Sequence, residues 1–480
     1  MPCKQPYTSY GGYVMRKRLT ALFASAAIAI SVVGMVGCGS AAKTEKAENS
    51  KSEAATQSSA QSSQAGGESD GDEVTLTMWT WSPITRTAQK MIKAFEEKNP
   101  NIHIEYTNYN YNPEYLQALS AAAASDNLPD IIGLQPGSLT QTYKDYLYDF
   151  TNDAVKTWGD DWDKVYDNVT QKQLTLGNKA DDSSHCILPI ETQDIYVEYN
   201  KALFDKLGIK KPTTYEELVN AAKVLRKDGY APLFFGGADG WQHVNLLIMC
   251  ASQVDKNLFD DCQYGKQKWT DDKMKSAVEN YKKLFDDGVM QDGSLSSTSY
   301  SDGTNLFLAG QAGMMLLGSW WPQEYTAEEV SDTVANWDFD YFYLPAISKG
   351  VNAAQPIGGM DFGYGITKNC KNKEAAWKAL VSFATKEGAQ EIANDMNNHL
   401  SYPDINPDTS KMVDRAGLQR ATDEFNRSGK DIAGGLVNQR ISNPKIETAV
   451  QEAMQGLVGG TFTVEQATQH IQDVQNSLSE

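Results

Sequence analysis

The sequence is poor in the residues that most often carry chemistry. Its five histidines, His103, His185, His243, His399 and His470, are scattered. No H-E-x-x-H run brings two of them together, which excludes the common zinc-protease arrangement. None of the six cysteines has a C-x-x-C neighbour, so neither a zinc ribbon nor a thioredoxin-type motif is indicated. There is no Walker loop, no G-x-S-x-G elbow set between a strand and a helix, and no repeat of fixed period. Positive charge is also scarce: 43 Lys and Arg against 62 Asp and Glu leave a formal net charge of −19. Residues 1–37 hold Lys4, Arg16, Lys17 and Arg18 and no acid, so the remainder stands at −23 (−19 less those four bases). That field repels a phosphate backbone, and no nucleic-acid partner is expected. An anionic ligand would need a local basic pocket, and none is identifiable. No catalytic residue, metal or cofactor is expected either.

Long apolar runs are equally rare, and the one that exists is informative. Met15-Arg16-Lys17-Arg18 opens a basic segment, Leu19 to Val36 follows without a charge, and the stretch ends Gly34-Met35-Val36-Gly37-Cys38. A basic start, an apolar centre and a small residue before a cleavage point make a secretory signal over residues 1–37. About 18 apolar residues would also just span a bilayer, so a single transmembrane helix is the competing reading. Residues 1–14 have no signal character, which points to Met15 as the start. Gly39 to Glu73 is built almost entirely from Ser, Ala, Gln, Lys, Glu and Gly with no aromatic or large aliphatic residue. It cannot bury enough apolar surface to order itself and reads as a flexible tether, residues 38–73.

From Val74 onward the pattern is α/β. Val74 to Trp79 alternates at period two, and Ile84, Ala88, Met91, Ile92 and Phe95 fall on one helical face. Asn99-Pro100 stops that helix, and Ile102, Ile104 and Tyr106 restore period two. Strand, helix and strand over about 30 residues make a βαβ unit and imply parallel strands. The pattern predicts a helix over 113–125, strands over 130–134 and 187–200, and a helix capped by either Thr213 or Thr214 that runs to about Asp228 and stops at Gly229. It also predicts helices over 273–285, 373–386 and 464–478, and strands over 339–344 and 363–367. Cys250 and Cys262 are either a disulfide of an extracytoplasmic protein or ordinary buried thiols.

Four blocks in this order resemble a known family. They are Leu76 to Pro100 running on to Tyr106, Asp126 to Leu134, Leu188 to Asp228, and Leu306 to Trp321 followed by Gly358 to Thr367. Over Val74 to Glu480 the chain resembles extracellular solute-binding protein family 1, the sugar-binding lipoproteins of ABC importers. The resemblance implies a two-lobed periplasmic-binding-protein type II fold with ligand in a hinged cleft. It implies one lobe from 74–190 plus about 358–400 and another from about 193–348 plus 406–480. It further implies lipidation of Cys38, anchorage outside the cell membrane, a carbohydrate ligand, delivery to an ABC permease, a monomer and no enzymatic activity. Met35 departs from the leucine usual at its position in such signals.

A sugar presents apolar C–H faces and a rim of hydroxyls, so its site needs flat aromatics and fixed polar groups. Loops at the carboxyl ends of parallel strands are where such pockets form. Trp81 and Ser82 end the first strand, and Gln135 and Ser138 follow the strand over 130–134. Glu191, Gln193 and Asp194 lie in the first crossing segment implied by the resemblance. Trp241 follows a glycine-rich loop, and Trp320 and Trp321 match the family loop that presents an aromatic. Of that pair Trp320 is the expected contact and the other packs. Gly359, Met360 and Asp361 sit where the chain re-enters the first lobe, and Arg440 lies in a late loop. Tyr196 is expected to pack. The alternatives are a receptor for another polar solute, such as glycerol phosphate or a polyol, and a secreted glycan hydrolase or adhesin. No carboxylate pair stands out as acid and nucleophile.

Overall fold

The computed structural model describes residues 73–478 apart from 180, 403 and 404. The signal segment, Cys38 and the tether up to residue 72 lie outside the described residues. Ten strands form one mixed sheet: β1 (Val74–Thr80), β2 (Ile102–Asn108), β3 (Ile131–Leu134), β4 (Leu188–Asn200), β5 (Ala231–Phe234), β6 (Ala312–Gly318), β7 (Phe339–Phe342), β8 (Ile357–Ile366), β9 (His399–Leu400) and β10 (Val437–Asn438). The order is β2-β1-β3-β8-β4-β6-β5, with β10 on β8 and with β7 and β9 on β4.

The sheet has two parallel ends joined by a long antiparallel pair. β1 pairs in parallel with β2 and β3, and β5 with β6. Between them β4 and β8 run antiparallel from Leu188↔Tyr364 to Ile195↔Ile357, with register shifts on either side of Glu191. All 13 residues of β4 and all ten of β8 are buried. β8 begins at Ile357, six residues before the strand the sequence predicts. Gly358 and Gly359 are part of it. A Cβ on Gly358 would sit 1.9 Å from the Gln193 carbonyl oxygen, so glycine is what allows the two strands to pair there.

Buried apolar side chains divide with the sheet. One set draws on residues 76–190 and 360–392, and includes Leu76, Phe95, Phe150, Tyr115 and Leu380. The other draws on 195–357 and 396–471, and includes Phe235, Trp269, Tyr281, Trp321 and Ile471. The chain therefore passes between two cores three times, at 190–195, 357–360 and 392–396. This is a two-lobed architecture.

Local signals behave as their chemistry requires. Thr214 and Glu217 form the reciprocal capping box of the helix Tyr215–Lys227, which closes before Gly229 at φ +87°. The helix predicted over 113–125 divides at Leu116: a wide turn over Tyr111–Tyr115 leads into the helix Leu116–Ala124. The helix predicted over 373–386 ends at Phe383, and a second, Lys386–Asn394, begins behind the Thr385 cap. Cys250 and Cys262 are free, buried thiols. His243 is wholly buried, bonded to Tyr281 Oη and the Gly237 carbonyl, and burial pulls its pKa down to about 4. Tyr196 is buried and stacks on Tyr341 with ring centroids 4.1 Å apart. Among the described residues no helix is long and apolar enough to cross a membrane.

Candidate functional site

A cavity of about 260 Å³ opens between the two cores. Its first wall is built from the carboxyl ends of β1, β2 and β3, the place where parallel strands leave room for a ligand. Trp81 and Ser82 leave β1, Asn108 to Tyr111 leave β2, and Gln135 and Ser138 follow β3. The opposite wall carries Trp241 and Asn245 on the helix Gly240–Val254, with Tyr300, Trp320 and Gln323 beside them. Glu191, Gln193, Asp361, Asn397 and Asn398 form the floor where the chain crosses, and Gln439, Arg440 and Glu447 close the far end.

Aromatic faces come from both walls. Trp81 is wedged among Tyr111, Tyr115 and Phe362 at centroid distances of 4.8, 5.2 and 5.0 Å, which fixes its plane. Trp241 and Trp320 meet at 6.2 Å and 71° on the other wall. The walls are also bonded to one another. Asn112 Nδ2 donates to Asp239 Oδ1 at 3.3 Å, Ser138 N donates to the Ile441 carbonyl at 2.8 Å, and Ser138 Oγ donates to Glu447.

Polar groups in the cavity are partly committed and partly waiting. Tyr111 Oη donates to Gln135 Oε1, and Gln135 Nε2 donates to Asp361 Oδ1. Arg440 Nη2 donates to the same oxygen at 2.9 Å, and Arg440 Nε to the Met360 carbonyl. The cavity's single base is thus neutralised by Asp361, while Glu191 and Glu447 add two more acids. Nothing in this arrangement favours an anion. By contrast, Trp241 Nε1 and both amide atoms of Gln439 are buried without a partner, and Gln439 is only 3% exposed. Orphaned donors and acceptors lining a cavity are unfavourable unless a polar guest satisfies them.

Burial also governs the acids. It pushes Glu191 up to about 8, helped by the nearby Asp361 charge and opposed by the Ser82 hydroxyl, which donates to both carboxyl oxygens. Asp361 is raised by burial against the opposing Arg440 charge, and Glu447 is raised by burial against its Ser138 bond.

Of the residues expected from sequence, Trp81, Ser82, Gln135, Ser138, Glu191, Gln193, Trp241, Trp320, Asp361 and Arg440 line this one cavity. Four do not. Trp321 is 2% exposed, packed against Phe307, Trp337 and Phe339. Asp194 is one residue out of phase with Gln193, so strand alternation turns it away from the cavity to the Tyr343 hydroxyl. Met360 is out of phase with Asp361 in the same way, and its side chain is buried in the first core. Gly359, at φ +126°, lies against the Gln173 amide, which a Cβ would meet at 2.4 Å. Tyr109, Tyr111, Tyr300, Gln439 and Glu447 line the cavity without having been read from the sequence. The Tyr109-Asn110-Tyr111 run carried a usable signal, since it follows β2 as Trp81 follows β1. The other three carried none, because long-range packing alone brings them in.

Residues 81–391 match the family model described as bacterial extracellular solute-binding protein. The chain is 23% identical over 333 residues to the multiple sugar-binding protein of Streptococcus mutans, covering 67% of this chain and 74% of that one. It is 23% identical over 360 residues to a probable sugar-binding periplasmic protein of Mesorhizobium japonicum, covering 72% and 79%. A solved chitin oligosaccharide binding protein superposes with a TM-score of 0.66 at 21% identity, covering 84% of this chain and 98% of that one.

The raised Glu191 gives a pH signature. Its folded value exceeds the unfolded carboxyl value of about 4.3, so the fold favours the protonated form. That contribution is fully present below about pH 4.3 and is lost as pH rises through about 8. Replacing Glu191→Gln removes the titration, so the melting temperature of the variant should fall less steeply than wild type between about pH 5 and 8. Parallel calorimetric profiles for the two proteins would contradict this assignment.

Proposed function

This chain belongs to the bacterial extracellular solute-binding protein family, and we propose that it is the sugar receptor of an ABC importer, taking an oligosaccharide between its lobes and handing it to a membrane permease. In this reading residues 74–190 and about 358–400 form one lobe, and about 193–348 and 406–480 the other. The observation that carries it is the cavity's composition. Indoles on opposite walls suit the two apolar faces of a pyranose, and unpartnered amide and indole groups suit its hydroxyls. The sole base is already paired, so a sugar phosphate or other anion lacks a counter-charge. The sugar-binding relatives from Streptococcus mutans and Mesorhizobium japonicum support the same class.

Capture follows from the wall-to-wall geometry. A ligand that touches Trp81 on one wall and Trp241 and Trp320 on the other makes its full set of contacts only when the walls are close. It therefore shifts the open–closed equilibrium toward the closed form. The receptor acts as a monomer and is held outside the cell by a lipid on Cys38. The Gly37-Cys38 junction behind an apolar run, and the polar stretch after it, support the anchor.

Two experiments test this. Trp320→Ala or Trp241→Ala should weaken sugar binding by about 1–3 kcal/mol in calorimetric titration, whereas Trp321→Ala should instead lower folding stability by about 3–5 kcal/mol. Unchanged sugar affinity in both cavity variants contradicts the site. Cells fed an alkynyl fatty acid should label wild type but not Cys38→Ala, and the variant should move from the membrane fraction to the medium. Equal labelling of both refutes the anchor.

A further inference from the structure

Tyr300 stands apart from the other rings of the cavity. It lines the space with Trp241 and Trp320 but is 40% exposed, one of few large apolar side chains on this surface. Its ring lies 6.4 Å from Trp241 at a tilt of 34°. Trp320 meets the same Trp241 ring at 6.2 Å and 71°, so of its two neighbours Tyr300 lies the more nearly parallel to Trp241.

The position of Tyr300 is built, not incidental. It sits on the turn Ser299–Thr304. Asp239 precedes the helix that carries Trp241, yet its carboxylate does not cap that helix. It accepts instead from Ser299 N at 2.6 Å, one residue before Tyr300. Ser299 is in turn pressed against Gly236, where a Cβ would meet Ser299 Oγ at 2.3 Å. The Tyr300 turn is therefore held in fixed register with Trp241. The second oxygen of Asp239 accepts from Asn112 across the cleft, so the same carboxylate ties this floor to the opposite wall.

A large ring left this exposed on a pinned turn adds less to folding than a buried one. Lining the cavity while still partly open to solvent, it is placed to be covered by a guest. We propose that Tyr300 is an outer stacking platform for a second or later pyranose of the ligand, and that it makes the receptor favour chains over single sugars. The inner cavity then encloses one end of the chain, and the remainder leaves over Tyr300. This rests on the sugar reading of the site.

The test is calorimetric titration of wild type, Tyr300→Ala and Tyr300→Phe with two length series: glucose, maltose and maltotriose, and xylose, xylobiose and xylotriose. Wild type should bind the longer members of a series more tightly than its monosaccharide. Tyr300→Ala should reduce the trisaccharide-to-monosaccharide affinity ratio about 3- to 10-fold, and Tyr300→Phe, which keeps the ring face, should restore it. Melting curves of both variants should match wild type. An unaltered ratio in Tyr300→Ala, or a wild type that binds only a monosaccharide, overturns the proposal while leaving the sugar reading standing. Failure of wild type to bind any member of either series overturns both.

Discussion

The pairing of β4 with β8 is the constraint on which the rest of the molecule depends. These two strands carry the sheet from one core to the other, and both are buried along their whole length. A buried strand in such a place must satisfy its backbone and also decide which side chains face the gap between the cores. Alternation makes that decision. Glu191 and Gln193 look into the cavity, while Thr192 and Asp194 look back to Ser401 and Tyr343. On β8 the same rule gives Asp361 to the cavity and Met360 to a core. Glu191, Gln193 and Asp361 of these strands, with Asn397 and Asn398 of the third crossing, make the cavity floor polar.

The back of the crossing is as acidic as its front. Glu198 and Glu424 are buried, and burial raises both: for Glu198 the Glu424 charge adds to it, and for Glu424 the Trp337 hydrogen bond and the Arg427 charge oppose it. Trp337 Nε1 donates to Glu424 at 2.8 Å, and Tyr343 Oη bridges Asp194 and Asp431. A protein with a formal net charge of −19 thus keeps several acids out of water by protonating them or by giving them indole and phenol donors. The same economy appears in the cavity, where Arg440 serves Asp361 and Glu191 is kept largely neutral by burial. Electrostatics and topology therefore converge on an uncharged, hydroxyl-rich guest.

Much of this was legible in the sequence, for physical reasons that differ from part to part. The first βαβ unit is read almost residue by residue, because Val74 to Trp79 and Ile102 to Tyr106 alternate and the helix between them has one apolar stripe. The helix start at Thr213-Thr214 is equally local, although both threonines have a glutamate three residues on and only Thr214 makes the box. The family resemblance adds the lobes and the cleft. What stayed out of reach is phase. Nothing local shows which of Gln193 and Asp194, or of Met360 and Asp361, faces the gap. The reasons for Gly358 and Gly359, the Gln193 carbonyl on the neighbouring strand and the Gln173 amide, lie 165 and 186 residues away in sequence. Trp320 and Trp321 differ in fate only because Phe307, Trp337 and Phe339 assemble a pocket for one of them. Tyr300, Gln439 and Glu447 belong to the cavity through tertiary packing alone.

The central claim is that this cavity holds a neutral sugar between two hinged lobes. Small-angle scattering of the purified protein, with and without a saturating sugar found by titration, tests it most directly. A smaller radius of gyration is expected on adding the sugar, and no change on adding glycerol phosphate. An unchanged radius with bound sugar, or compaction by the anion alone, would contradict it.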